Sequence, residues 1–187
     1  MSLIRTANRS DAARLAQLAE SAFRDAFSAV NTAADMDLHC RTSYSEAIQA
    51  GEIANPQMAT LLSEDEGRLV GYAQLRWGKT PACVVARSAG EIQRIYVAGD
   101  RHGKGIAQEL MSAAIEVLKN RGCDVVWLGV WERNPRAIAF YKKFGFVEVG
   151  GQIFALGRDP QQDIIMARSV VSAAGSACLA PMPAGVP

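Results

Sequence analysis

The chain has little of what builds metal centres or covalent frameworks. Its two histidines, His39 and His102, stand alone, and neither has a ligand partner one helical turn on, so no metal is expected. Four cysteines, Cys40, Cys83, Cys123 and Cys178, lie far apart without a C-x-x-C pair. That spacing fits a reduced, cytoplasmic protein better than a disulfide framework or a zinc site. Surplus charge is missing as well: the net charge is +1, with no polybasic arm, which argues against nucleic-acid binding. Trp77, Trp127 and Trp131 have no interleaved basic residues and read as core or pocket wall rather than a base-stacking platform. No window approaches the roughly 18 consecutive apolar residues of a membrane span, and Met1–Asn8 has no apolar core of a signal peptide. Internal repeats and a nucleophilic triad are also absent from the sequence.

What is present suits one domain. With 187 residues, 49% of them hydrophobic, the chain can bury a substantial core but is short for two. It is organised around Glu91–Val97, where Ile92, Ile95 and Val97 favour a strand. The turn Ala98–Lys104 and then Gly105-Ile106-Ala107 lead into an amphipathic helix over Gln108–Lys119. Amides at a helix N-terminus lack partners within the helix and sit at its positive end, so this strand-turn-helix is built to hold an anion, most plausibly a phosphate. Two familiar readings of such a turn fail. Gly99–Gly105 spells G-x-x-x-G-K-G, one residue short of a P-loop and without its hydroxyl, and a dinucleotide fingerprint would need glycine where Gln108 stands.

Around this stretch the pattern predicts a strand at 3–5, a helix capped by Ser10-Asp11, and a second helix over 34–50. Met58–Ser63 and Arg68–Trp77 should pair as an antiparallel hairpin, followed by a loop to Gly90. Asp124–Trp131 lacks alternation and reads as a central strand covered on both faces. Asn134-Pro135 opens a further helix lined by Ala137, Ile138, Tyr141 and Phe144. Strands over 147–156 and 163–169 complete an α/β chain with a mixed sheet flanked by helices. The expected organisation is one domain over 1–168 and a flexible Ala/Gly/Pro-rich tail over 169–187. Over residues 20–52, six acids against two arginines leave a local charge of −4, either a solvated helical face or a feature of substrate choice.

His102-Gly103-Lys104-Gly105-Ile106-Ala107 resembles the [QR]-x-x-G-x-[GA] signature of the GCN5-related N-acetyltransferases (GNAT), with histidine at its first position. Asn134–Phe146 resembles that family's second signature, and the resemblance as a whole covers about residues 3–168. The resemblance implies a GNAT fold with a central, mostly antiparallel twisted sheet, and acetyl-CoA as co-substrate. Its pyrophosphate would lie on the amides of Gly103, Lys104, Gly105, Ile106 and Ala107, beside His102. The pantetheine arm would pair with Ile95, Tyr96 and Val97 and meet Asn134, and Tyr141 would be the acid near the sulfur. Glu91, at the start of the organising strand, is the candidate base, although it reads equally well as a surface glutamate.

Leu128–Asn134, Gly157-x-x-x-Gln161-Gln162-Asp163-Ile164-Ile165-Met166 and Phe27-x-x-x-Asn31-Thr32-x-x-Asp35-Met36 are similar to the PaiA-type polyamine acetyltransferases. That similarity implies a small-molecule amine acceptor such as spermidine or spermine, and a homodimer is a reasonable expectation for the family. Protein N-termini, another small amine, or a CoA-binding regulator without turnover remain the alternatives.

Overall fold

The computed structural model describes residues 3–170. Its elements are β1 (Leu3–Thr6), α1 (Ala12–Phe27), α2 (Ala33–Ser43), α3 (Glu46–Ala54), β2 (Met58–Asp65), β3 (Arg68–Trp77), β4 (Ala89–Val97), α4 (Ile106–Asn120), β5 (Val125–Trp131), α5 (Pro135–Lys143), β6 (Val147–Leu156) and β7 (Asp159–Ser169). The strands form one sheet in the order β1-β2-β3-β4-β5-β7-β6. Every neighbouring pair is antiparallel except β4 and β5.

Helices cover both faces. On one face α4 buries Leu110, Met111, Ala114 and Leu118 against Val70, Leu75, Ile92, Val126 and Leu128, and α5 packs Ala137, Ile138, Tyr141 and Phe144 beside them. On the other, Leu15, Ala19 and Phe23 of α1 and Met36 and Cys40 of α2 meet Leu62, Tyr72 and Leu156. Each fully buried leucine contributes about 2 kcal/mol, so the two clusters clamp the sheet from opposite sides. β5 has the interior place that its unbroken apolar run predicts, between β4 and β7.

Several boundaries differ from the sequence reading. The helix expected over 34–50 is two helices, because the Ser45 hydroxyl accepts from Ile48 N–H at 3.3 Å and starts a new one. The break turns Tyr44 into the core at 3% exposure. Asp11 is the N-cap of α1, as expected, but its carboxylate makes no capping bond to that helix and pairs with Arg5 at 2.7 Å, while Asn8 caps the 3-10 turn Arg9–Asp11 that precedes it. β4 begins at Ala89, and β7 already at Asp159, leaving Gly157-Arg158 as its turn. Ser169 ends β7, and the buried Val170 donates its N–H to Asp124 O at 3.0 Å, so the fold extends past 168. The rest of the expected tail, 171–187, lies outside the described residues, as does Cys178. Cys40, Cys83 and Cys123 are free thiols. No described helix is long and apolar enough to cross a membrane.

Candidate active site

The site begins where the sheet opens. β4 and β5 pair only through Ala89↔Val125, Gly90↔Val126 and Glu91↔Trp127. Opposite Gln74-Leu75 of β3 the register slips, so that Leu75 pairs with Ile92, Gln74 with Arg94, and Gln93 is the extra residue. Such a bulge bends its strand and increases the local twist. Beyond it β4 stays with β3 up to Val97 and β5 stays with β7 up to Trp131, so the two central strands diverge. Their facing edges carry main-chain donors and acceptors with no strand between them, an arrangement suited to an extended, hydrogen-bonding ligand arm.

The glycine turn lies at the end of β4. Gly103 and Gly105 have φ of 79° and 84°, a left-handed backbone that side chains rarely adopt. A Cβ on either would touch nothing within 4 Å, so it is the backbone conformation that requires glycine here, not crowding by the protein. Gly105 is the N-cap of α4 and no side chain caps that helix. Among the described residues, the amides of 103–107 donate to no protein acceptor. His102, the departure from the family signature, uses its ring: Nε2 lies 3.0 Å from Val97 O and ties the turn to the strand end. Lys104 is exposed, and the Ile106 side chain is core, so that residue offers the site only its amide.

A cleft of about 910 Å³ passes through the opening. Glu91, Ile95, Tyr96, Val97, His102, Ala107, Asn134 and Tyr141 line it, so eight of the expected site residues meet in one place. Gly103, Lys104 and Gly105 stand on the adjoining turn. Asn134 Oδ1 accepts from Ala137 N–H at 3.1 Å as the cap of α5, and the residue also lines the cleft. Tyr141 packs edge-on to Phe140 and Phe146, and among the described residues its hydroxyl has no hydrogen-bond partner. Burial pushes its phenol up to about 12, which keeps it a proton donor at neutral pH.

Glu91 is not at the surface. It is 4% exposed at the apex of the opening, where Arg76 grips it with two N–H groups, one of them Nη2 to Oε1 at 3.1 Å. Burial raises its carboxyl, and the Arg76 hydrogen bonds pull in the opposite direction without cancelling that rise. The acidic stretch is also differently placed than its charge suggests. Arg24 binds Glu20 and Asp37, Arg94 binds Glu52, and only Asp25 of the six acids borders the cleft.

Beyond the opening the wall is built from α1, α2, β6 and β7: Phe23, His39, Gln152, Phe154 and Asp163. His39 stacks on Phe23 at 4.4 Å between ring centroids, and burial lowers it to about 4, leaving it neutral. Asp163 was not singled out as a site residue from the sequence, although an acid in phase with the buried Ile165 and Ala167 was a usable signal. Among the described residues, no group of three or more His, Cys, Asp or Glu could hold a metal.

A glycine turn at a helix start, a parted pair of central strands and a half-buried tyrosine beside them are the parts of an acyl-CoA-dependent transferase. The sequence matches the model of the acetyltransferase (GNAT) family over residues 15–146. The chain belongs to that family and is an acetyl-CoA-dependent N-acetyltransferase. It is 35% identical over 127 residues to an uncharacterized N-acetyltransferase of Mycobacterium bovis, covering 68% of this chain and 77% of that one. It is 29% identical over 154 residues to another from Lactobacillus delbrueckii subsp. lactis, covering 82% and 89%. The structure of PaiA N-acetyltransferase from Thermoplasma acidophilum, solved with coenzyme A, shares the fold with a TM-score of 0.70 at 20% identity, covering 90% of this chain and 99% of that one.

Proposed function

We propose that this enzyme acetylates a primary amine on a small cationic acceptor, a polyamine such as spermidine or spermine. The observation that carries the reading is the divergence of β4 from β5 after Glu91, which opens a passage from the glycine turn to a wall rich in aromatic rings. In this reading the amides of 103–107 bind the pyrophosphate, with Lys104 adding charge. The main-chain groups of Ile95, Tyr96 and Val97 pair with the pantetheine, and the Asn134 amide supports it. Co-substrate held there presents its thioester at the opening.

The acceptor reaches the passage as an ammonium and loses one proton before its nitrogen attacks the carbonyl. A second nitrogen proton is lost as the amide forms, and the C–S bond breaks. Tyr141 gives its proton to the departing thiolate and regains one from the medium. For that second nitrogen proton Glu91 is retained as a base acting through water, although Arg76 hydrogen-bonds both of its oxygens. The polyamine assignment rests on the similarity to PaiA-type sequences and on acids at the passage, Asp25, Glu91 and Asp163. Thiol release from acetyl-CoA, followed with spermidine, spermine, alanyl peptides and aminoglycosides, tests it. Turnover with the two polyamines is expected, and turnover with peptides or aminoglycosides alone would reject the assignment.

A further inference from the structure

The geometry points to Asp163 as the group that receives the acceptor's ammonium and takes the proton it must lose before attack. This inference rests on the acetyl-transfer reading above. Three acids line the cleft, in different states. Asp25 is exposed, Glu91 is held by Arg76, and Asp163 is 9% exposed with no cation beside it among the described residues. Its carboxylate has a neutral partner, the side chain of Gln152. A buried acid without a cation is costly, and a ligand that supplies the cation offsets that cost.

Space has been cleared for it. At Gly129, on the β5 edge of the opening, an added Cβ would come within 2.9 Å of Gln152 Nε2 and 3.2 Å of Asp163 Oδ2. The carboxylate therefore occupies room that any larger residue 129 would fill, over the stretch of β5 just past Trp127, its last residue paired with β4. Tyr96 and Tyr141 line the same cleft as Asp163, so the acid and the proposed base face one cavity. Phe154 and Trp131 line the same wall, and aromatic faces suit an alkylammonium chain.

In the proposed step the bound R–NH3+ gives one proton to an Asp163 oxygen, and the freed lone pair forms the C–N bond. Asp163 then releases that proton to solvent. Asp25, Arg76, His102 and Arg136 also face the cleft, and because His102 is an imidazole the pH profile of kcat/KM is repeated in His102→Asn, where the acid limb should persist and its loss would overturn the assignment. Tyr44, Tyr96 and Tyr141 are pushed up by burial, His39 is pushed down to about 4, and Arg94 is raised and paired with Glu52. Glu91 is the competitor, since its carboxyl is raised too.

The test uses the full chain, acetyl-CoA, and spermidine and an alanyl peptide as amines. Coenzyme binding is measured first by calorimetry; no binding would overturn the acetyl-transfer reading itself and this proposal with it. With binding intact in Asp163→Asn, kcat/KM for the amine should fall at least about 100-fold, with partial recovery in Asp163→Glu. The wild-type profile of kcat/KM should fall on the acid side near pH 6, and that limb should survive in Glu91→Gln. Coenzyme binding without turnover of either amine, activity of Asp163→Asn within about threefold of wild type, or loss of the limb in Glu91→Gln would overturn the assignment while leaving coenzyme binding untouched. If Asp163→Asn does not fold, the wild-type profile decides, because an acid limb absent between pH 5 and 7 has the same consequence.

Discussion

The two ends of the cleft present different chemistry. At the glycine turn and along β4 the groups on offer are main-chain amides: two glycines at positive φ, an uncapped helix start and a strand edge left open by a bulge. At the far end they are side chains from helices and strands distant in sequence, Phe23, His39, Phe154 and Asp163. Amides are identical at every residue, so the first end needs only a backbone path and small residues along it. The second end gets its chemistry from which side chains meet. That division fits a co-substrate common to a family and an acceptor particular to each member.

Substitutions can break this division or sharpen it. The largest effect is expected at the junction, where Tyr141→Phe should lower kcat by about 100-fold or more and leave coenzyme affinity within about twofold, checked by steady-state rates and calorimetry. A fall in affinity with kcat preserved would make Tyr141 part of the binding end instead. Next, Gly105→Val forces a β-branched residue to φ 84°. Strain of about 1–3 kcal/mol predicts a loss of coenzyme affinity of roughly 5- to 150-fold, with melting of the acceptor-side core little changed.

The acceptor end has its own signature in stability. Burial raises the Asp163 carboxyl from 3.8 to about 6 in the folded chain. A raised carboxyl favours the folded state below its unfolded value, and that contribution is lost as pH rises through the folded one. Removing the charge with Asp163→Asn should therefore stabilise the fold at pH 8 by about 1–3 kcal/mol and change little at pH 4, as read from denaturant midpoints at both values. An unchanged midpoint at pH 8 would mean that the carboxylate is well solvated. The smallest effect belongs to Lys104→Ala. This exposed charge should be worth less than about 1 kcal/mol of coenzyme affinity, fading further as salt is raised.

The sequence is a good guide to one end of the cleft and a poor guide to the other. Gly103, Gly105, Asn134 and Tyr141 stand in two short runs, and the local features they need, a turn, a cap and a helical face, are written within a few residues of each other. Asp163 and Phe154 come from β7 and β6, and His39 from α2, across more than a hundred residues of chain. Nothing local ties them together. Glu91 shows the same limit in a single residue: its position opposite Arg76 is a register fact of β3 and β4, invisible without the sheet. The acidic stretch was ambiguous for a related reason: Arg24 and Arg94 pair with three of its six acids, and Arg94 reaches Glu52 from β4.

Local order determined the strands, the glycine turn and the helix starts, since propensity, capping and backbone conformation act over a few residues at a time. The opening between β4 and β5, the burial of Glu91 and the placing of Asp163 without a cation were decided only when seven strands paired and helices closed over both faces. Burial and charge pairing depend on what lies across a gap in space, and only the tertiary structure sets that distance.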